Sequence, residues 1–135
     1  MPGVEGLQQI CLRCFHLIPA ETQTCPHCGA DLAAFAARDY ADKLIAALGH
    51  SLSEVRMRAI IALGWRGEGR AAQPLLELAL RHPVDVVEGL AVVKSLAGMG
   101  VEGRIALVAL AERHQAHAVR ETAQQVLRTI RHAKH

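Results

Sequence analysis

Aromatic side chains are scarce in this sequence: only 3% of its 135 residues are Phe, Trp or Tyr, although 51% are hydrophobic. A β-sandwich depends on aromatic and β-branched side chains for its packed faces. A core made of Ala, Leu, Val and Ile is instead typical of closely packed helices. The composition therefore predicts a mainly α fold.

Long apolar runs and a targeting signal are also lacking. No run reaches the roughly 18–20 residues that a membrane-spanning helix needs. Residues 1–6 have neither the charged nor the apolar region of a signal peptide. We therefore expect a cytoplasmic protein without a membrane partner. The formal net charge of +2 is too small to indicate a nucleic-acid partner by itself.

Cysteine is absent after residue 28, and all four cysteines form two C-x-x-C pairs, Cys11 with Cys14 and Cys25 with Cys28. A disulfide framework normally spreads its cysteines to cross-link distant segments. Two adjacent C-x-x-C turns instead offer four thiolates to one tetrahedral ion. The spacing favours a structural Zn²⁺ site, with two disulfides or a rubredoxin-like iron site as alternatives. Because four sulfurs leave no open coordination position, no catalysis is expected there.

The second cysteine pair is followed by Gly29, which supplies the positive φ that turns backbone N–H groups toward the sulfurs. This stretch resembles the short zinc-ribbon family over residues 9–33. It departs from that family at Phe15, where members often have Gly. The neighbouring His16 and His27 are expected to be exposed bystanders, since four thiolates already fill a tetrahedron.

From about residue 39 the sequence repeats itself every 32 residues. Five positions align in the three copies: Val55, Val87 and Val119; Ala59, Ala91 and Ala123; Leu44, Leu76 and Val108; Ala47, Ala79 and Ala111; His50, His82 and His114. Within each copy the apolar residues fall at i, i+3, i+4 and i+7, which is the spacing of a helix. Since one helix pair cannot bury its apolar face alone, the copies are expected to stack.

The repeat places three helix pairs in residues 39–135. The copies are predicted at about 39–66, 67–98 and 99–132. The first helices are predicted at 40–49, 70–81 and 103–113, and the second helices at 53–65, 84–98 and 117–132. Ser53 and Asp85 are predicted N-caps. The three aligned histidines are expected to end the first helices, where a partly positive imidazole suits the helix dipole.

The second helix of the first copy reads V-R-x-x-A-x-x-A-L at residues 55–63, and residues 119–127 keep most of this motif. This segment resembles HEAT-like repeats of the phycobilisome-lyase type. The resemblance implies a short α-solenoid of HEAT-like helix pairs that binds other proteins, preceded by a small N-terminal zinc ribbon.

The middle copy departs from the motif, with Glu88 in place of Arg and Ser95 in place of Leu. The family often pairs this Arg with an Asp before the second helix. Only Asp85 matches that Asp, so the resemblance implies pairing of Asp85 with Arg56 or Arg120.

Two surfaces are predicted to bind partners. The first copy has Met57, Ile60 and Ile61 opposite its buried stripe, where the cysteine segment, another protein or a second copy in a homodimer would cover them. The alternative is that these residues belong to a wide buried arc. The third copy is basic at Arg120, Arg128 and Arg131, which suits phosphate or an acidic partner, or is simply a solvated helix face.

The sequence contains no Ser/His/Asp order, Gly-rich phosphate loop or paired carboxylates on one helix face, so an enzyme is not expected. A non-catalytic protein–protein interaction scaffold with structural zinc is the leading prediction. Nucleic-acid binding is the alternative, because zinc ribbons and HEAT-like solenoids both occur in nucleic-acid proteins. A chaperone-like scaffold for a cofactor or chromophore is a third hypothesis that follows from the lyase resemblance.

Overall fold

A computed structural model describes residues 8–19, 21–32 and 37–133 of the chain. A short β-hairpin is followed there by six α-helices. The elements are β1 (Gln8–Ile10), β2 (Leu17–Pro19), α1 (Ala37–Ala47), α2 (Ser53–Arg66), α3 (Ala72–Arg81), α4 (Val86–Leu96), α5 (Gly100–Arg113) and α6 (His117–Ala133), with a 3₁₀ turn at Gly69–Ala71 before α3. The two strands are antiparallel, with Gln9 opposite Ile18. The expected mainly α fold is confirmed.

The helices stack as three consecutive pairs. Helices α1 and α2 pack together, as do α3 with α4 and α5 with α6. Second helices also contact one another, α2 with α4 and α4 with α6, while α3 contacts α5. The core between them consists mainly of leucine, alanine and valine, as the composition predicts. None of the described helices is long and apolar enough to cross a bilayer.

The register of the middle copy differs from the prediction. Val55 and Val119 are buried, but the aligned Val87 is 70% exposed. Helix α4 buries Glu88 and Gly89 instead, because it must fit between α2 and α6. A Cβ atom at Gly89 would lie 2.7 Å from Cγ2 of Val119, so the absent side chain permits this close approach.

A second close approach joins α2 to α4. A Cβ atom at Gly64 would lie 2.9 Å from Cα of Ser95. The Ser95 hydroxyl donates a 2.9 Å hydrogen bond to the carbonyl of Ile60. Ser95, which replaces Leu in the repeat motif, is therefore a small residue at a tight helix contact.

Of the two predicted N-caps, Asp85 is confirmed and Ser53 is not. Asp85 caps α4, since its side chain accepts a hydrogen bond from the Glu88 N–H at 2.9 Å. The prediction for Ser53 is wrong: Ser53 is the first residue of α2, and Leu52 stands at the cap position without a side-chain bond. The N–H of Leu52 donates instead to Nδ1 of His50 at 3.0 Å.

His82 and His114 stand directly after α3 and α5, as expected, but two of the three aligned histidines, His50 and His114, accept hydrogen bonds at Nδ1. Like His50, His114 accepts at Nδ1 from the N–H two residues later, that of Ala116, at 3.0 Å. Burial lowers the pKa of His114, which favours the neutral form that this bond needs. His82 differs, because its Nδ1 lies 2.6 Å from a carboxylate oxygen of Glu88.

The motif arginines Arg56 and Arg120 donate hydrogen bonds to the turns between the two helices of their own pairs. Nη1 of Arg56 donates to the carbonyls of His50 and Ser51 at 2.8 and 3.1 Å. Nη1 of Arg120 donates to the equivalent carbonyls, those of His114 and Gln115, at 2.7 and 2.8 Å.

The implied pairing of Asp85 with an arginine is not found among the described residues. The carboxylate partner of Arg56 is Glu88, at 3.0 Å from Nε. Glu88 is 2% exposed and also contacts His82, so it joins the first two helix pairs through a buried charge.

We predict that Glu88→Ala lowers the free energy of unfolding by about 2–4 kcal/mol, because it leaves the mostly buried Arg56 guanidinium without its carboxylate. Chemical denaturation measures this change. Glu112→Ala, at an exposed carboxylate of α5, is the control and should change stability by less than about 0.5 kcal/mol. Equal stability of the two variants would contradict the assigned role of Glu88.

Candidate metal centre

The four cysteines lie in two turns with the same backbone pattern. In the first turn, the N–H of Phe15 donates to the carbonyl of Cys11 at 2.7 Å, and the N–H of Cys11 donates to that of His16 at 3.0 Å. In the second turn, Gly29 and Ala30 make the matching bonds with Cys25, each at 2.9 Å. The two C-x-x-C segments are therefore equivalent knuckles, one before β2 and one after it.

Phe15 takes the backbone conformation that Gly29 takes in the second knuckle. Their φ angles are 63° and 78°, in the left-handed region. A non-glycine residue there costs roughly 1–2 kcal/mol. The departure at Phe15 therefore leaves the knuckle geometry intact, and its ring is packed against the helical core.

The cysteine sulfurs of the two knuckles converge. All four Sγ atoms lie within 4.8 Å of one another. Cys11 and Cys28 are 3.5 Å apart at Sγ, and Cys14 and Cys25 are 3.7 Å apart. A tetrahedral ion with metal–sulfur bonds of about 2.3 Å requires sulfur separations of about 3.8 Å. The donor set therefore fits one metal ion, and the four predicted ligands are brought together.

Backbone N–H groups stabilise negative charge on the cysteine sulfurs by hydrogen bonding. The N–H of His27 donates to Sγ of Cys25 at 3.4 Å. Burial opposes ionisation of Cys25, but the N–H groups of Cys28 and His27 and the neighbouring thiols lower its pKa to about 6. Burial raises the pKa of Cys14 to about 12. A bound cation favours the thiolate form of every sulfur that it contacts.

His16 and His27 are exposed, as expected, but they are not independent of the site. Their rings stack with centroids 4.3 Å apart and an angle of 17° between planes. Nδ1 of His16 lies 3.3 Å from Sγ of Cys14. The pair therefore covers one side of the sulfur cluster.

Residues 8–32, here called the cysteine module, pack on the first helix pair. The hydroxyl of Tyr40 accepts from the N–H of Ile10 at 2.6 Å and donates to its carbonyl at 2.7 Å. Nη1 of Arg58 on α2 donates to the carbonyl of Phe15 at 2.7 Å. The Phe15 ring meets His50 edge-on at 5.7 Å. The cysteine module, one of the covers expected for the first copy, therefore packs on Tyr40 of α1 and Arg58 of α2.

The predicted partner residues are in different environments. Ile60 is fully buried in the core, so it cannot contact a partner and belongs to the buried arc that was the alternative. Met57 and Ile61 are half-buried. In the third copy, Arg120 donates a hydrogen bond to the turn before α6, whereas Arg128 is exposed. The side chain of Arg131 lies outside the described part of the structure.

A groove between α2 and α4 was not predicted from the sequence. It has a volume of about 370 Å³ and is lined by Ile61, Gly64, Trp65, Ala91, Lys94 and Ser95. Trp65 is 42% exposed. The available signal was the chain's only tryptophan, at the end of a helix.

The model of the family "HEAT repeats" matches residues 27–97, just over half of the chain. The chain belongs to the HEAT repeat family. The match covers the pairs α1–α2 and α3–α4 and begins within the second knuckle. No curated protein and no solved structure matches the chain. HEAT repeats often mediate protein interactions, which agrees with the expected class of partner.

We predict that the purified chain binds one divalent ion, because its four sulfurs form a single tetrahedral donor set. Co²⁺ titration under reducing conditions, followed by its sulfur charge-transfer absorption, measures the stoichiometry. Cys28→Ser should weaken binding by more than about 100-fold, because it removes one of the four ligands, whereas loss of a residue that only hydrogen-bonds to a ligand costs about 10–100-fold. His27→Ala is the matched control and should still bind one ion. Full binding by Cys28→Ser would contradict the ligand set.

We also predict that Tyr40→Phe lowers the free energy of unfolding by about 1–3 kcal/mol, because it leaves two buried polar groups of Ile10 without partners. Thermal or chemical denaturation of the metal-loaded protein measures the loss. A variant as stable as the wild type would mean that the cysteine module does not depend on this contact.

Proposed function

We propose that this HEAT repeat protein is a non-catalytic protein-interaction scaffold that holds a partner peptide in the groove between α2 and α4. The observation that carries the proposal is Trp65, a large side chain that is 42% exposed at the edge of an apolar groove. Tryptophan is enriched among the residues that dominate binding energy at interfaces. A groove of about 370 Å³ is within the usual range of ligand pockets.

The shape of the groove suits one bulky apolar side chain. Gly64 and Ala91 contribute little or no side-chain volume, so they leave room between the two helices. Ile61 and Trp65 supply apolar surface on the α2 side. Burial of a Leu, Ile, Met or Phe side chain there would contribute about 1.5–3 kcal/mol.

The charge at the edge of the groove indicates which residue of the partner should lie next to the bound apolar side chain, here called the anchor. Lys94 is exposed at its edge and makes no ion pair among the described residues. A carboxylate close to the anchor would complement this ammonium group. The proposed partner is therefore a protein segment with a bulky apolar residue next to Asp or Glu.

We further propose that the metal is Zn²⁺ and that the cysteine module is a zinc ribbon. Four sulfur ligands in a tetrahedron suit zinc, and they leave no position for substrate, so the role is structural. Thiolate ligands are maintained in a reducing compartment such as the cytoplasm. The two equivalent knuckles support the resemblance to short zinc ribbons.

The repeats are proposed to be of the phycobilisome-lyase type. The motif arginines Arg56 and Arg120 support this subtype, since both brace the turn before their own helix. The same contacts favour a protein over a nucleic acid as partner, because Arg120 is then less available for phosphate. A chaperone-like scaffold for a chromophore has no specific observation in its favour.

Selection from a random peptide library on the metal-loaded protein tests the groove. We predict a consensus of a bulky apolar residue beside an acidic one, and a change in Trp65 fluorescence on binding. Trp65→Ala should raise the dissociation constant of the selected peptide by about 30-fold, and Lys94→Glu should raise it by about tenfold.

Val84→Ala, at a valine that is 89% exposed and outside the groove, is the control and should bind normally. A consensus without acidic residues, or peptides that bind Trp65→Ala equally well, would contradict the proposal. Salt-dependent binding of a single-stranded oligonucleotide in place of peptides would favour the nucleic-acid alternative.

A further inference from the structure

Helix α5 carries an apolar stripe that faces solvent. Val101, Ile105 and Val108 are 60%, 66% and 44% exposed. Their spacing of i, i+4 and i+7 places them on one face of the helix. Contiguous apolar side chains on a surface indicate an interaction site, whereas single ones do not.

The same position is covered in the preceding copies. Val108 aligns with Leu44 of α1 and Leu76 of α3, which are 0% and 4% exposed. Leu76 lies on the helix that contacts α5. Val108 therefore occupies a position that helix packing buries in the first two copies.

The companion helix α6 does not continue this apolar surface. Its outward residues are polar and exposed: Glu121, Gln124, Gln125 and Arg128. A further helix pair would need apolar surface on both helices of the last pair. The combination of an apolar α5 and a polar α6 fits one added helix rather than a pair.

Of the exposed charges on α5, Glu102 and Arg113 flank the stripe, and Glu112 ends it four residues after Val108. Glu102 and Arg113 are exposed, and neither makes an ion pair among the described residues. Their separation of eleven residues is about three helical turns, so both lie on the same flank of α5. When two copies of α5 align antiparallel, Glu102 of each copy lies beside Arg113 of the other. A parallel alignment would instead leave Glu102 of one copy and Arg113 of the other about three helical turns apart, so these pairs could not form.

We propose that two copies of this chain associate through an antiparallel, two-fold pair of α5 helices. Ile105 and Val108 form the apolar centre, and Glu102 and Arg113 of the two copies pair at both ends. Such an interface is isologous, since both copies use the same patch. It differs from the expected homodimer through the first repeat, since α5 belongs to the third helix pair. One helix pair buries little area, so the dimer is weak and concentration-dependent.

Sedimentation velocity of the full metal-loaded chain over a wide concentration range tests the proposal. The wild type should shift from monomer to dimer as concentration rises. Ile105→Lys should raise the dimer dissociation constant by at least about tenfold, because it places a charge in the apolar centre. Val84→Lys, an equally exposed change outside α5, should leave dimerisation unchanged. Helical content measured by circular dichroism verifies that both variants fold.

Charge reversal distinguishes this geometry from any other dimer. Glu102→Arg alone and Arg113→Glu alone should each weaken self-association, since each homodimer then opposes like charges. An equimolar mixture of these two variants should form heterodimers at least as readily as the wild type, because every pair is again attractive. Arg81→Glu, at the residue of α3 that aligns with Arg113, is the control and should have no effect.

A wild type that stays monomeric at every concentration would overturn the proposal. Dimers that Ile105→Lys leaves intact, or a mixture that associates no better than the single variants, would overturn it as well. None of these results depends on whether the groove between α2 and α4 binds a peptide.

Discussion

The sulfurs of Cys11, Cys14, Cys25 and Cys28 lie within 4.8 Å of one another, and this convergence sets the arrangement of the two knuckles. A module of about 25 residues buries too little apolar surface to fold by itself. Among its described residues, the buried cluster consists of Ile18, Ala30 and Leu32 besides two of the cysteines. A metal–thiolate site supplies roughly 10–16 kcal/mol, which exceeds what such a cluster contributes.

The helix stack depends in turn on the position of this module. The first helix pair has an apolar end, and the module covers it through Phe15, Ile10 and the contacts to Tyr40 and Arg58. The opposite end of the stack is different, since α6 is polar but α5 exposes Val101, Ile105 and Val108. The cysteine module therefore closes one end of the repeat array, and the other end keeps an apolar helix face available. The groove beside Trp65 lies between these two ends.

The elements that follow from local pattern were predictable from the sequence. Paired C-x-x-C turns specify four converging sulfurs by spacing alone, and a 32-residue rhythm specifies stacked helix pairs. The register of α4, which exposes Val87, was not predictable, because it depends on close approaches at Gly64 and Gly89 that exist only after folding. The groove beside Trp65 also forms only when α2 and α4 pack together. Phe15 shows a related limit, since tertiary packing holds it in a conformation that its residue type disfavours.

Hydrogen exchange with and without a chelator most directly tests the claim that the metal site organises both the cysteine module and the first helix pair. The account predicts that metal removal abolishes amide protection in residues 8–32 and reduces it in α1 and α2. Protection in α5 and α6, which pack on each other and on α3 and α4, should stay unchanged. If α1 and α2 keep full protection after the metal is removed, the module is a separate appendage and the account is contradicted.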